Sequence, residues 1–584
     1  MKWPNWTRRR ILLTTLLAAI GAGAAVAVFE SQSSAPTSLA SFAPPGALLA
    51  IESPNFASLL KAWTGSSEQK RWLAGDDYAA FSRSRLFDRL GQAQSEFAAT
   101  AGLPPDAQFL QAIAGGQSLL AWYDIGNLQF LYITHMPPGA AANTPLLALR
   151  DKFEERKSGD TTFYVRTQTD ADSGQTRTVA FAVRGDDLLL ATREDLLANA
   201  LELMQHPAGR TLASDSWYSA AVSAAGKPTS DLRMTLNLAA IVRSPYFRSY
   251  WIQQNVSEMK QYTAALSDLY RDKDSLREER VLLATNPDAH PAGTDLSPLL
   301  DYLPQNTGVY RAVSQPTTDA VLAQLEDKLL SRLPSSSHDT HIAPSADLST
   351  PIAGDDATYE QRIDEPLLPA QSPGSALVSL RDLLTAAPPT AMLNFSAAAS
   401  PQDTGSDTVF RPIHTAVVLF AASDWNSAAI QQSLSAALSP RLTVGSAGLT
   451  WTDHHDANGS WTELTGLHGM ALALRGRACL LASDPATLTQ LLSASQSATH
   501  SPRVATVVAG FSARTERAEF TRLSHLLDHT ADAAPPAPGT PPPFFSGNMA
   551  SLSDTFQDLD SETFTETVAP SHITHQTVIY QWRH

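Results

Sequence analysis

The chain contains one strand–turn–strand–helix pattern twice, and this internal similarity constrains its fold more than any other feature. Residues 181–192 align without gaps on residues 472–483, with an Arg-Gly pair between two apolar runs in each segment. Apolar runs on either side of a short Gly-containing turn are typical of β-hairpins. Thr192 and Ser483 end the two segments and are predicted to cap the helix that follows. The pattern therefore predicts two copies of one unit.

Two further pairs of segments occur in the same order along the chain. Residues 47–51 and 309–313 are predicted to be short strands, and each precedes a proline and an amphipathic helical pattern. Residues 266–275 and 552–561 agree at seven of ten positions when Tyr is counted with Phe. Three matches in one order indicate an internal duplication.

The elements within each copy predict an α+β fold. Asn458-Gly459 is a strong hairpin signal, and hairpins pair their strands antiparallel. We therefore expect two internally repeated α+β units with largely antiparallel sheets, at residues 44–290 and 303–584. Within the second unit, residues 335–375 are predicted to form a flexible insertion, and residues 531–544 a Pro-rich loop. Whether the units form two domains or one body stays open.

The N-terminal residues predict a membrane anchor. Residues 1–10 form a basic, cytoplasmic segment, and the 19 uncharged residues from Ile11 to Phe29 are close to the length that crosses a bilayer as a helix. Arginines before this stretch and Glu30 after it place the rest of the chain outside the cytoplasm. A cleavable signal peptide that ends at Ala27 is the alternative. Residues 30–43 are predicted to be a linker.

Composition narrows the classes of partner. The net charge is −16, and proteins that bind nucleic acid concentrate positive charge, so no nucleic acid partner is expected. The single cysteine, Cys479, lies in an apolar run and is predicted to be a buried core residue.

The clusters of polar residues do not predict a catalytic, cofactor-binding or metal site. His454 and His455 are adjacent on a predicted strand, so their side chains point to opposite faces. Asp268 and Asp272 are four residues apart and are predicted to lie on a solvated helix face. The sequence has neither the nucleophile elbow nor the phosphate-binding glycine patterns of known enzymes. The chain is therefore expected not to be an enzyme and to have no cofactor.

The combination of these features resembles a known bacterial family. An N-terminal membrane segment is followed by Pro45-x-x-x-Leu49-Ala50-Ile51 and, much later, by the pattern A-x-R-G-x-x-x-L-L-A-T at residues 182–192. The chain resembles, over about residues 44–500, membrane-anchored exported proteins catalogued only as a domain of unknown function. The resemblance implies no activity and no catalytic residue.

Three functions are consistent with a chain of this kind. The first is a non-catalytic, membrane-tethered binding or scaffold protein of the bacterial envelope, in the periplasm or another space outside the cytoplasm. It would contact the membrane through Ile11 to Phe29 and have an envelope protein or a lipid as its partner. The second is a carrier or sensor of hydrophobic ligands, because sheets packed with helices can enclose an apolar cavity. The third is a hydrolase whose site is not visible in the sequence.

Overall fold

The computed structural model describes eighteen stretches of the chain, and the statements that follow concern those residues. They are 38–74, 78, 82–83, 85–124, 126–169, 176–207, 209–226, 230–243, 259–286, 293–305, 307–330, 377–398, 413–439, 448–466, 469–496, 502–516, 559–569 and 573–582. Four predicted segments lie outside them, namely 1–10, 11–29, 335–375 and 531–544. Within these stretches, no helix combines the length and apolarity needed to cross a bilayer.

The first half of the chain supplies ten of the described strands, with helices between them. In chain order the elements are β1 (Leu49–Ser53), α1 (Phe56–Trp63), α2 (Ser67–Ala74), α3 (Arg85–Ala101), α4 (Ala107–Ile113), β2 (Ser118–Asp124), β3 (Gln129–His135), α5 (Pro145–Ala148), β4 (Glu154–Ser158), β5 (Thr161–Thr169), β6 (Thr176–Arg184), β7 (Asp187–Ala191), α6 (Glu194–Gln205), α7 (Ser216–Ala225), β8 (Leu232–Leu236), α8 (Leu238–Ile241), β9 (Tyr262–Arg271) and β10 (Ser275–Ala284). Short 3₁₀ turns lie at Leu39–Ser41, Ala141–Asn143, Arg150–Lys152 and Leu212–Ser214.

The second half has a similar sequence of elements. They are β11 (Thr294–Asp295), α9 (Ser297–Leu300), β12 (Val309–Ser314), α10 (Thr318–Leu325) with a π-helical turn at Glu326–Leu330, α11 (Val378–Ala386), β13 (Pro389–Ala398), β14 (Ile413–Ala421), α12 (Ser427–Leu438), β15 (Leu449–Asp456), β16 (Gly459–Gly466), β17 (Met470–Arg475), β18 (Ala478–Ala482), α13 (Pro485–Gln496), β19 (Val504–Ala505), β20 (Val507–Ser512), β21 (Leu559–Val568) and β22 (Ile573–Trp582).

Twenty of these strands form one antiparallel sheet, so the predicted α+β class with antiparallel pairing is confirmed. Their spatial order is β4-β5-β6-β7-β3-β2-β1-β8-β9-β10-β22-β21-β20-β12-β13-β14-β18-β17-β16-β15, and β11 pairs with β19 in a small separate sheet. The sequence left open whether the two units form two domains or one body, and their described strands share one sheet. β10 pairs with β22 over nine residues, which satisfies backbone groups that each strand would otherwise expose at an edge.

The order and register of the strands are the same on the two sides of the β10–β22 pair. In the first half Leu120 of β2 lies between Ile51 of β1 and Tyr132 of β3. In the second half Asn394 of β13 lies between Arg311 of β12 and Val417 of β14. The aligned hairpins match Leu190 with Leu481, which pair with Tyr132 and Val417, so Leu120 matches Asn394.

The same registers match Ile51 with Arg311 and Asp268 with Thr565. The alignments of residues 47–51 with 309–313 and of 266–275 with 552–561 are therefore wrong.

Alternating side chains give the sheet two buried faces. We call the face that carries Tyr132 and Leu190 the front face, and the face that carries Leu131 and Leu189 the back face. α6 packs on the back face in the first half, as α13 does in the second. α3 and α4 cover the front face of the first half, whereas α10, α11 and α12 cover that of the second.

Two local predictions need correction, and a third is confirmed. The linker does not extend to residue 43, because Leu39, Ala40 and Ala43 are buried in the core of the back face. Thr192 does not cap a helix: its Oγ1 accepts a hydrogen bond from Phe130 N at 2.9 Å, and Ser483 Oγ accepts one from Thr415 N at 3.1 Å. Each hydroxyl accepts a hydrogen bond from a backbone N–H group near the start of a neighbouring strand. The Arg-Gly hairpins form as predicted, as β6–β7 and β17–β18.

Candidate functional site

A cavity of about 400 Å³ lies on the front face of the first half, between the sheet and the helices above it. Strands β2, β3, β6 and β7 form its floor, and α1, α3 and α4 form its walls and roof. This volume is within the range of pockets that hold small organic ligands. We call this cavity the front pocket.

The floor of the front pocket is made of large apolar side chains at alternate strand positions. Leu120 and Trp122 come from β2, Phe130 and Tyr132 from β3, and Leu190 from β7. Trp122 and Phe130 are cross-strand partners whose rings are 5.5 Å apart. The Tyr132 hydroxyl donates a hydrogen bond to Ile113 O at 3.1 Å. Burial raises the pKa of Tyr132, so this hydroxyl stays neutral at physiological pH.

The roof forms because the apolar residues of α3 and α4 recur at helical spacing. In α4, Phe109 and Ile113 are four residues apart and buried, and the Asp106 side chain caps the helix by accepting a hydrogen bond from Phe109 N at 2.9 Å. Phe97 of α3 lies against Phe109, with ring centroids 5.8 Å apart. The pocket is therefore bounded by aromatic rings above and below.

One side of the pocket mouth is polar. Arg177 of β6 forms an ion pair with Glu96 of α3, with 2.6 Å between Nε and Oε2, and this pair fastens the roof to the sheet. Arg193 donates a hydrogen bond to Gln129 Oε1 at 3.1 Å and also pairs with Asp195. Each arginine at the mouth thus has a carboxylate partner. The arrangement offers hydrogen-bond donors and acceptors without a large net charge.

The matching position in the second half is filled. Asn394 donates a hydrogen bond to Gln324 of α10 at 2.6 Å, and Thr415 donates one to the backbone oxygen of Lys328 at 2.6 Å. The helical segment 318–330 is thereby held directly on the strands. Val417 and Leu481, which match Tyr132 and Leu190, belong to a core cluster with Leu325 and Leu329. Among the described residues, the positions that match the pocket floor are therefore covered in the second half.

A polar cluster lies beneath α7 on the back face. Arg233 of β8 and Asp268 of β9 form a buried bidentate ion pair, with N–O distances of 2.8 and 2.6 Å, and Ser230 Oγ donates to the same carboxylate at 2.7 Å. Asp268 was predicted on a solvated helix face, which is wrong. Asp268 is a buried residue of strand β9, and the guanidinium of Arg233 compensates the burial of its charge. Asp272 lies just after the end of that strand.

Glu52 of β1 extends this cluster. Tyr218 donates a hydrogen bond to Glu52 Oε2 at 2.6 Å, while Arg233 lies beside it as its cross-strand neighbour. Burial raises the pKa of Glu52, and the Tyr218 hydrogen bond and the Arg233 charge oppose that rise without cancelling it. The matching residues of the second half, Ala312 and Val508, are apolar.

The histidine pair of β15 has two different environments. His454 stacks on Trp461 with 4.2 Å between ring centroids and lies 2.9 Å from Glu463 Oε2. His455 Nδ1 lies 3.0 Å from Ser460 Oγ. Across the described stretches, no three His, Cys, Asp or Glu side chains are grouped as metal ligands would be.

Comparison of the chain with family models, curated proteins and solved structures finds no match in any of the three. The resemblance to exported proteins of unknown function therefore stays a prediction, and the assignment of function depends on the geometry alone.

Sequence reasoning offered an apolar cavity as one alternative but did not predict where it lies. The available signal was the pair of large aromatic residues at alternate positions of β3, Phe130 and Tyr132, where the second half has Thr415 and Val417. This difference can be recognised only when the strand registers align the two halves, because β3 and β14 share few identical residues.

Proposed function

We propose that this protein is a non-catalytic binding protein of the cell envelope that takes one elongated apolar molecule with a polar end, such as an acyl lipid, into the front pocket. Residues 11–29 would hold it at the membrane. The scaffold role and the hydrolase role remain alternatives from the sequence, and no feature of the described residues favours either.

The observation that carries this proposal is the distribution of polarity in the front pocket. Most of the large side chains that line the pocket are apolar, among them Leu120, Phe130 and Leu190, and its polar lining includes Asn127, which is exposed, and Arg193, which is 40% exposed. Pockets of this kind bind by burying the apolar part of a ligand, and their few polar groups fix its orientation. An acyl chain in the interior with its head group at the arginines would satisfy both regions.

We infer also that the two halves come from an internal duplication and that, among the described residues, the pocket floor stayed open in the first half and became covered in the second. The shared strand order and the matching registers of β1–β3 and β12–β14 support this. A duplication makes equivalent positions respond alike to the same change. Unequal responses of the two hairpin glycines, Gly185 and Gly476, would count against it.

Photocrosslinking of the full chain in membranes tests the binding proposal. Cells are given a fatty acid with a photoactivatable group in its acyl chain, and crosslinked peptides are mapped by mass spectrometry. The proposal predicts crosslinks to pocket residues such as Phe97, Leu120 and Leu190. Replacing Ala93, a lining residue of α3, with Trp fills the interior and should abolish these crosslinks while the protein stays folded.

The matched control is Ala428→Trp, which adds the same ring on the exposed surface of α12. It should leave the crosslinks unchanged. Crosslinks of equal yield in the wild type and in Ala93→Trp, or none in the wild type, would overturn the proposal.

A further inference from the structure

The helices that roof the front pocket carry an unusual concentration of exposed apolar side chains. Eight large hydrophobic residues are exposed among the described residues, and five of them lie in α1–α4. They are Trp63 (38%), Trp72 (40%), Leu73 (51%), Leu90 (44%) and Leu110 (39%). Contiguous apolar surface of this kind marks a contact with another body. We call these five residues the roof patch.

Side-chain contacts link the roof helices in two pairs, α1 with α4 and α2 with α3. Gln111 of α4 donates a hydrogen bond to Thr64 Oγ1 at 3.3 Å, which brings the end of α1, with Trp63, beside Leu110. The rings of Trp72 and Tyr78 are 6.3 Å apart, and those of Tyr78 and Phe87 are 6.1 Å apart. This chain of rings links α2 to the start of α3, one turn before Leu90.

The roof patch is continuous with the front pocket. Leu90 and Leu110 are exposed and also line the pocket, so they form an apolar side of its mouth, in contrast to the polar side at Arg193. A partner or membrane that covers the roof patch therefore also contacts the entrance of the front pocket. An apolar ligand that moves between that body and the pocket would avoid most of its exposure to water.

The position of the N-terminal segment indicates what covers the patch. Ser38 Oγ lies 3.5 Å from Glu52 Oε1 on the back face, near the end of β1. The chain continues from that end of β1 into α1, whose first residue, Phe56, packs on the front face. Eight residues, 30–37, separate Ser38 from the predicted anchor. Eight residues reach at most about 30 Å, so a bilayer that holds residues 11–29 lies within reach of the roof helices.

The roof helices lack the net negative charge of the chain as a whole, which an anionic bilayer would repel. Residues 56–113, which run from the start of α1 to the end of α4, contain six basic and six acidic residues, so their net charge is zero in a chain of −16. Basic groups are attracted to anionic lipid head groups, and tryptophan favours the boundary between head groups and acyl chains.

We propose that the roof patch rests on the surface of the bilayer that anchors the chain, so that the front pocket opens toward lipid. The contact with the bilayer follows from the patch and the predicted anchor. The transfer of a ligand through that contact rests on the binding function proposed above.

Environment-sensitive labels on the full chain test the contact. The wild type has one cysteine, Cys479, which is 1% exposed and whose pKa is raised by burial, so it does not react with a label in the folded protein. Single cysteines are introduced by Trp63→Cys and Leu73→Cys in the patch, and by Val378→Cys and Val504→Cys at exposed positions of the second half. Each is labelled with nitrobenzoxadiazole and reconstituted in phosphatidylcholine–phosphatidylglycerol vesicles that contain brominated acyl chains.

The proposal predicts blue-shifted, quenched emission from labels at 63 and 73, and water-like emission from those at 378 and 504. Equal, water-like emission at all four positions, with the protein co-floating with the vesicles, would overturn it. Quenching at 63 and 73 together with failure of the crosslinking experiment would leave the contact standing and remove the binding function, so the two proposals fail separately.

Discussion

At the scale of single residues, the polar cluster on the back face connects stability to pH. Glu52 sits beside Tyr218 and Arg233, but Arg233 is already paired with Asp268. The cluster therefore holds two carboxyl groups and one guanidinium. Its charge is balanced when Glu52 is protonated, which agrees with the direction of its raised pKa.

We predict that Glu52→Gln stabilises the protein increasingly as the pH rises. In the unfolded chain Glu52 titrates near its usual pKa of about 4.3. Because the folded pKa is higher, the wild type has its full stability below about pH 4 and loses it as the pH rises through the folded pKa. The difference in unfolding free energy should approach about 1.4 kcal/mol for each unit of the shift. Urea unfolding at pH 4 and pH 8 measures it.

Glu155→Gln is the control, because Glu155 is exposed on the edge strand β4. The unfolding free energy of Glu155→Gln should differ from that of the wild type by the same small amount at pH 4 and at pH 8. A Glu52→Gln variant that is less stable than the wild type at pH 8 would show that the folded protein needs the ionised carboxylate.

At the scale of elements, the two Arg-Gly hairpins are the part of the fold that the sequence predicts best. Gly185 and Gly476 have φ values of +60° and +57°. A Cβ added at Gly185 would have no atom within 4 Å, and one added at Gly476 would meet only Asp424 Oδ1, at 3.5 Å. The turn therefore needs the left-handed conformation, and crowding contributes little.

Gly185→Ala and Gly476→Ala should each lower the free energy of unfolding by about 1–2 kcal/mol, the cost of a left-handed conformation for an L-residue. Gly91→Ala, in the interior of α3 with nothing near its Cβ, should instead raise it by up to about 1 kcal/mol. Thermal or urea unfolding of the three variants tests the sign. The unfolding free energies of the two turn variants should be similar. If they differ from each other by as much as they differ from that of Gly91→Ala, the two hairpins are not equivalent.

Sequence reasoning succeeds where neighbouring residues decide the structure and fails where distant residues decide it. The β6–β7 turn is encoded by neighbours, so its residues suffice to predict it. Asp268 was misplaced because its spacing from Asp272 fits a helix, while the partner that decides its place, Arg233, lies 35 residues away. The front pocket depends on four strands and three helices meeting, and neither its floor nor its roof has a local signature.

At the scale of the whole molecule, the two halves share one sheet through β10 and β22. The C-terminal strand therefore completes the hydrogen bonding of a strand from the first half. Val578 is central to this joint: it is 2% exposed and pairs with Glu278 on one side and Phe564 on the other. Such a joint predicts that the halves do not open independently.

Val578→Asp should destabilise both halves together. A carboxylate in this buried position costs about 3 kcal/mol, since the desolvated group has no designed partner. Hydrogen exchange followed by mass spectrometry should show faster exchange in β9 and β10 of the first half as well as in β20 and β21. Val504→Asp, at a position that is 64% exposed, is the control and should change neither set. Faster exchange confined to β20 and β21 would mean that the halves unfold as separate units despite their common sheet, and that the front pocket does not depend on the C-terminal strand.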